Sequence, residues 1–285
     1  TVTGYYLLGS EDNEFKEILF YSENVNVLYD KLQEIENFAN EYYSKIKDIN
    51  VHISDYIQYR NITRFSLLTS KSRINSFVTD LIRRVIYEDI PKMTDKINVH
   101  FSEKILRRIA ASDEINLQTL SQAIGISQQE INDNLDILVK AELLNVLYPF
   151  GGVDTKINKS HKYFFMSPSI RSVLLSPIIG TKRDDDIYAK LLEDIVVLYL
   201  KRLFRQDSVL SFSSQKGSRN PDLIIETLPQ PIIIEIGIGK KTSKQISKSK
   251  IKYKYGIIIN SKAEEISVNE HEKTVTLPLK YFLLL

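Results

Sequence analysis

The chain has no cysteine, so disulfides, thiolate zinc sites and cysteine nucleophiles are excluded. Four scattered histidines in 285 residues argue against a zinc site built on imidazole. Any metal is therefore expected to be a hard ion held by oxygen. No apolar stretch approaches the roughly 20 residues needed to cross a bilayer. The start, Thr1-Val2-Thr3-Gly4, lacks a basic segment leading into a hydrophobic one. These absences predict a cytoplasmic location and no membrane partner. A phosphate-binding loop is missing too. Gly239-Lys240 with Thr242 looks like the end of one, but Ile234 stands at the first glycine position and Lys241 at the hydroxyl position. A large excess of either charge is lacking as well. Lys and Arg number 38 against 36 Asp and Glu, a net +2 that neither demands nor forbids nucleic acid.

What is present is 43% hydrophobic content, enough for real cores in two or three modest domains. Two short strands are expected at Tyr5–Leu8 and Ile18–Tyr21. Leu28, Leu32, Ile35, Phe38, Tyr42 and Ile46 recur at three- and four-residue intervals, which predicts one stripe of a long helix. A second helix is predicted from Ser72 to Ile90, with Ile74, Phe77, Leu81, Val85 and Ile86 inward and Pro91 as its stop.

Between His100 and Ser167 the spacing predicts a winged helix-turn-helix. One helix runs through Ile105, Leu106 and Ile109, and a second through Leu117, Leu120 and Ile124, with Gly125 at the turn. Ser127 and Glu130 form a capping box for the third, ahead of Ile131, Leu135 and Leu138. A wing is expected around Gly151-Gly152, from Asn145–Tyr148 to Lys162–Phe165. A DNA-reading third helix should carry cations toward phosphates. This one carries Glu130, Asp133 and Asp136 and no cation from Ser127 to Val139. Gln128, Gln129, Asn132 and Asn134 are the groups that could reach base edges. The balance favours packing or protein contact over sequence-specific DNA binding.

The last segment opens near Asp184 with a helix through Leu191, Leu192, Ile195, Val196, Leu198 and Tyr199. Strands are predicted at Val209–Phe212, Asp222–Glu226, Ile232–Ile236 and Tyr255–Ile259, with a helix over Ser243–Ile251. Thr274-Val275-Thr276 and an apolar tail close the chain. Asn220-Pro221-Asp222 begins one strand, and Glu235 interrupts five isoleucines between Ile232 and Ile238 on the next. Carboxylates on hairpin neighbours can converge on one divalent ion, and a nearby lysine can polarise water or a phosphate oxygen. A carboxylate in so apolar a run needs a partner. From Ile236 to Lys254 there are seven lysines and no acid, either a face for a phosphate backbone or a solvated helix.

The Pro221-Asp222 and Glu235 pattern resembles the PD-(D/E)XK nuclease superfamily, with Gly237 where that pattern expects its lysine. The order of segments from Asp55 to Leu285 is similar to the C-terminal half of prokaryotic AAA-type ATPases that append a winged helix and a nuclease-fold tail. The carriers include Asp55–Arg60, Val85–Pro91, Tyr163–Arg171 and Leu277–Leu283. The resemblance implies an α+β multidomain chain: a helical region over 1–97, a winged helix-turn-helix over 98–180 and a restriction-endonuclease-like α/β domain over 181–285. It implies Mg2+ or Mn2+ held by Asp222, Glu235 and an accessory Glu193. Lys240 or Lys241 would replace the displaced lysine, and Gln245 would orient a phosphate or water. DNA, an ATPase domain, a partner protein or a second copy of the chain are the implied partners, and ATP belongs only to an upstream ATPase domain. The rival reading is a catalytically silent scaffold or regulatory module.

Overall fold

Asparagine and serine caps mark where this chain turns helical, and isoleucine runs mark where it turns to strand. The computed structural model describes residues 14–95, 97–112, 116–179, 185–204, 209–214, 220–239 and 246–284. The first half contains α1 (Glu14–Tyr21), α2 (Val25–Tyr43), α3 (Ile49–Asp55), α4 (Lys71–Arg84), α5 (Ile90–Met93), α6 (Val99–Ala111), α7 (Leu117–Ile124) and α8 (Gln128–Lys140). There follow β1 (Leu144–Pro149), α9 (Val153–Asn158), β2 (Lys162–Phe165), α10 (Pro168–Ile179) and α11 (Asp185–Phe204). The chain ends with β3 (Leu210–Phe212), β4 (Leu223–Ile225), β5 (Ile232–Gly237), β6 (Gly256–Asn260), β7 (Ser267–Asn269), β8 (Thr274–Pro278) and α12 (Leu279–Phe282). Among the described residues no helix is long and apolar enough to cross a membrane.

This α+β chain divides into two units, one of Thr1–Ser54, Pro149–Ile157 and Tyr199–Leu285, the other of Asp55–Tyr148 and Asn158–Leu198. The division is not the consecutive one expected at 97 and 180. Residues after 55 share a core with the three-helix segment, where Ile74, Val78, Ile82 and Ile90 pack with Ile105, Ile109, Leu135 and Leu138.

The first unit is built on a mixed sheet with strands in the order β3-β4-β5-β6-β8-β7. β3, β4 and β5 form an antiparallel meander, β5, β6 and β8 run parallel, and β7 returns antiparallel to β8. β4, β5 and β6 are buried along their whole length, which is why they read as isoleucine runs without alternation. Ile224, Ile233 and Ile258 form a cluster with Ile246 and Ile251, against which Phe150 and Tyr253 pack. The helix expected over Ser243–Ile251 is turn and coil from 246 to 251. Ser249 Oγ accepts from the Ile251 N–H at 3.2 Å, a side-chain bond that competes with helix.

Two other expectations in this unit need correcting. Ile18–Tyr21 is the end of α1 rather than a strand, and Tyr5–Leu8 lies outside the described residues. A four-residue apolar run fits either period. Leu19 is fully buried, and its carbonyl accepts from the Tyr255 hydroxyl. On α2 the buried stripe is Val25, Leu28, Leu32, Ala39 and Tyr43, while Phe38 and Tyr42 stay 57% and 47% exposed. Past Pro278 the apolar tail leaves the sheet. It turns into α12, where the Tyr281 hydroxyl donates to Asn40 Oδ1 at 2.7 Å.

In the second unit, α4 buries Ile74, Val78 and Ile82, and the stripe continues through Ile86 and Ile90. Phe77 and Leu81 instead line a cleft of about 390 Å3 with Phe65, Leu68 and two arginines, and the Phe77 ring stacks on Phe65 at 5.6 Å. Pro91 does not stop the helix. Val85–Asp89 widens into a π turn, and the helical run goes on through Pro91 to Met93.

α6, α7 and α8 lie where the sequence predicts them. Asn98, Asn116 and Ser127 cap their starts, Gly125 takes the left-handed conformation at φ +82°, and both bonds of the Ser127–Glu130 capping box form. β1 and β2 pair antiparallel from Leu144↔Phe165 to Leu147↔Lys162. These are the two strands expected of the wing, and a bend at Gly151-Gly152 leads into a helix between them. Residues 149–157, which hold α9 up to Ile157, belong to the first unit, where the Phe150 N–H donates to the Phe212 carbonyl at 2.8 Å and Lys156 pairs with Glu226 at 2.9 Å.

Candidate functional site

The β4–β5 hairpin sets the geometry. Leu223, Ile224 and Ile225 pair with Ile234, Ile233 and Ile232. One residue past Leu223↔Ile234, Asp222 stands opposite Glu235. Directly opposed residues of an antiparallel pair share a face, with Cβ atoms roughly 5 Å apart. Glu235 is two residues from Ile233 and Asp222 two from Ile224, so both acids fall on the face of the Ile224, Ile233 and Ile258 cluster. Glu235 is 4% exposed, and Asp222 is half-buried.

Asp222 Oδ2 accepts from the Ile236 N–H at 2.7 Å. Pro221 has no N–H to continue the ladder, and the carboxylate ends it instead. A carboxylate has about four acceptor sites, so this bond is compatible with ligation of a cation. At the far end of β5 the backbone is tied down. Gly237 pairs with Asn260, whose side-chain amide donates to the Gly239 carbonyl at 2.6 Å, and the Ser261 N–H donates to the Gly237 carbonyl at 3.0 Å. Gly239 has φ +77°, a left-handed conformation that suits glycine, and the stem of Lys262 lies beside it.

The row extends to a third strand. Leu210 and Ser211 pair with Ile225 and Ile224, and that register, continued two residues past its last pair, sets Ser213 opposite Asp222. Ser213 is 8% exposed, and its hydroxyl has no hydrogen-bond partner among the described residues. Composition and motif spacing gave no reason to single it out; counting the register of a third strand does.

Of the other expected residues, Glu193 is half-buried on α11 in the second unit, and its neighbour Asp194 is fully buried. Lys240, Lys241 and Gln245 lie outside the described residues. No group of three or more His, Asp and Glu side chains that could hold a metal occurs among the described residues. The donor set that this row offers is two carboxylates and a hydroxyl, all oxygen, which suits a hard divalent ion. Lys248, Lys250 and Lys252 of the lysine-rich stretch are exposed.

On α8, Gln129, Glu130, Asp133 and Asp136 face solvent. The Glu130 carboxyl is held below its ordinary value by bonds from the Ser127 N–H and hydroxyl. Asn134, one of the groups that could have reached a base, is buried, and its Oδ1 accepts from the Ser102 hydroxyl at 2.7 Å.

Residues 65–178 match the model of a domain of unknown function, DUF8612. An uncharacterized protein of Methanocaldococcus jannaschii, MJ1637, is 29% identical over 286 residues. That similarity covers 95% of this chain and 58% of the relative, so the chain spans little more than half the length of the relative it matches. A solved structure titled as a MarR transcriptional regulator from Methanosarcina mazei Go1 aligns at 13% identity and a TM-score of 0.22. The alignment covers 47% of this chain and 97% of that one.

Proposed function

We propose that the first unit is a nuclease-fold module in which Asp222 and Glu235 hold Mg2+ or Mn2+ and a nucleic-acid phosphodiester is cut. The observation that carries the reading is the cross-strand placement of these two acids on one face of an otherwise isoleucine-lined hairpin. The meander β3-β4-β5 followed by parallel β6 supports it, since helix, three strands, crossover and parallel strand is the order that the resemblance implies. A divalent ion in such a site supplies Lewis-acid chemistry, activating water and offsetting charge on phosphate. The chain's own contribution is positional. Asp222, pinned by the Ile236 N–H, presents its carboxylate at a fixed strand end, and the exposed Lys248, Lys250 and Lys252 attract a phosphate backbone.

The second unit is, on this reading, a winged helix that contacts protein rather than DNA. Its third helix turns carboxylates to solvent, and Phe150 and Lys156, from the stretch where a wing tip is expected, belong to the first unit. An ATPase domain is the proposed partner, following the resemblance.

A catalytically silent module is the second reading. It is favoured by Gly237, which leaves the expected lysine position without a side chain. The deciding experiment is cleavage of plasmid and branched DNA with Mg2+ or Mn2+, with Asp222→Asn and Glu235→Gln alongside. Cutting that both variants abolish supports the hydrolase. Cutting that survives them, or none by a well-folded protein that binds no divalent ion, overturns it.

A further inference from the structure

The candidate site has two acids but no third carboxylate among the described residues, while a hard divalent ion takes six or more oxygens. Just past the end of β3, Ser213 falls in the same cross-strand row when the β3–β4 register is continued. Its hydroxyl is buried, and it has no hydrogen-bond partner among the described residues. Leaving a buried hydroxyl unpaired costs about 1–3 kcal/mol. A hydroxyl so placed beside two acids is open to a ligand that no described residue supplies. Ser211 is the internal comparison. It too is buried and unpartnered, but it stands opposite Ile224, in the apolar row two residues back from the acids.

We infer that the Ser213 hydroxyl completes the oxygen set of the Asp222–Glu235 site, ligating the divalent cation or an ordered water that the cation carries. The inference rests on the proposed cation site and deepens it by naming a third strand as a contributor. Ser213 just past β3, Asp222 just before β4 and Glu235 on β5 then line one edge of the Ile224, Ile233 and Ile258 cluster. A neutral oxygen added to two carboxylates leaves no excess negative charge beyond that of the ion. That composition suits Mg2+ or Mn2+ and gives soft metals no preferred ligand.

The test is Mn2+ affinity by titration calorimetry and electron paramagnetic resonance on the whole chain, with circular dichroism and urea unfolding as controls of folding. Ser213→Ala should weaken Mn2+ binding by about tenfold, the usual scale for losing one group that orients or supports a metal. Ser213→Thr should restore it, and Ser211→Ala should leave it unchanged. Ser213→Cys should shift preference from Mn2+ toward Cd2+, a change that a purely structural serine would not produce. If Mn2+ binds and Ser213→Ala binds equally well, the inference falls while the two-carboxylate site stands. If the wild-type chain binds no divalent ion, the site falls and the inference with it.

Discussion

Arg171 and Asp194 form a fully buried pair, Nε donating to Oδ2 at 2.6 Å and Nη2 to Oδ1 at 2.9 Å, with no exposed side-chain surface on either residue. The rest of the guanidinium is used as well. Nη1 donates to the carbonyls of Ile109 and Ala110 at 3.2 and 3.0 Å, satisfying the last turn of α6. The Phe165 N–H donates to Asp194 Oδ1 at 2.9 Å, and the guanidinium lies 5.1 Å from the Phe165 ring. One ion pair thus joins α6, β2, α10 and α11 inside the second unit.

Removing one partner leaves the other charge buried, which costs about 3–5 kcal/mol, whereas replacing both with apolar groups can be nearly neutral. Asp194→Ala and Arg171→Met should therefore each lower unfolding free energy on that scale. Arg171→Met with Asp194→Leu should lose clearly less than the sum of the single changes. Urea unfolding of the four proteins measures this. Additive losses would show that the two side chains act independently.

Glu103 gives the same unit a mild sensitivity to acid. Its carboxylate accepts from Arg107 Nη2 at 2.8 Å and from the Tyr87 hydroxyl at 2.8 Å. Arg107 first, then Tyr87, hold its pKa below the ordinary 4.5. A depressed carboxylate contributes stability that is complete above the unfolded value and is lost as pH falls through the folded one. Both partners are about a third exposed, so the contribution should stay under about 1 kcal/mol. Urea midpoints taken from about pH 5 to about pH 3 should fall more steeply in wild type than in Glu103→Gln. Equal slopes would assign the acid response to other carboxylates.

Asp222 has a structural duty separable from any cation. Its bond to the Ile236 N–H is charge-assisted, a kind worth about 1.5–3 kcal/mol. Asp222→Ala should lose stability on that order. Asp222→Asn keeps an acceptor oxygen and should lose much less, yet lose most Mn2+ affinity. If both substitutions leave stability unchanged, the strand-end bond contributes nothing net.

The sequence made the local features legible and hid those that depend on distant pairing. The Ser127–Glu130 box and the Gly125 cap follow from residues within one turn, and they form as read. Asp222 opposite Glu235 was within reach because a hairpin's register follows from its loop. Ser213 was not, because its place depends on how a third strand, from beyond another loop, pairs with β4. Phe38, Tyr42, Phe77 and Leu81 carry a correct helical period yet lie off the buried stripes. Choosing among overlapping stripes needs the partner surface. β7 carries only Ser-Val-Asn, an edge too short and polar to show a pattern.

At Gly256 the sheet leaves little room beside Ile246. A Cβ there would come within 2.8 Å of both Ile246 Cδ1 and Cγ2, and within 3.2 Å of Thr274 Cγ2. Ile246 is fully buried in the cluster that shares its face with Asp222 and Glu235, so it has little room to retreat. Gly256→Ala should therefore destabilise by about 1–3 kcal/mol, the usual cost of overpacking. Ile246→Ala alone opens a cavity at about 2–5 kcal/mol. Combined, the new methyl can use the vacated space, and the double variant should be more stable than the sum of the two losses allows. Full additivity in urea unfolding would place the clash on Thr274 or on the strand backbone instead of on Ile246.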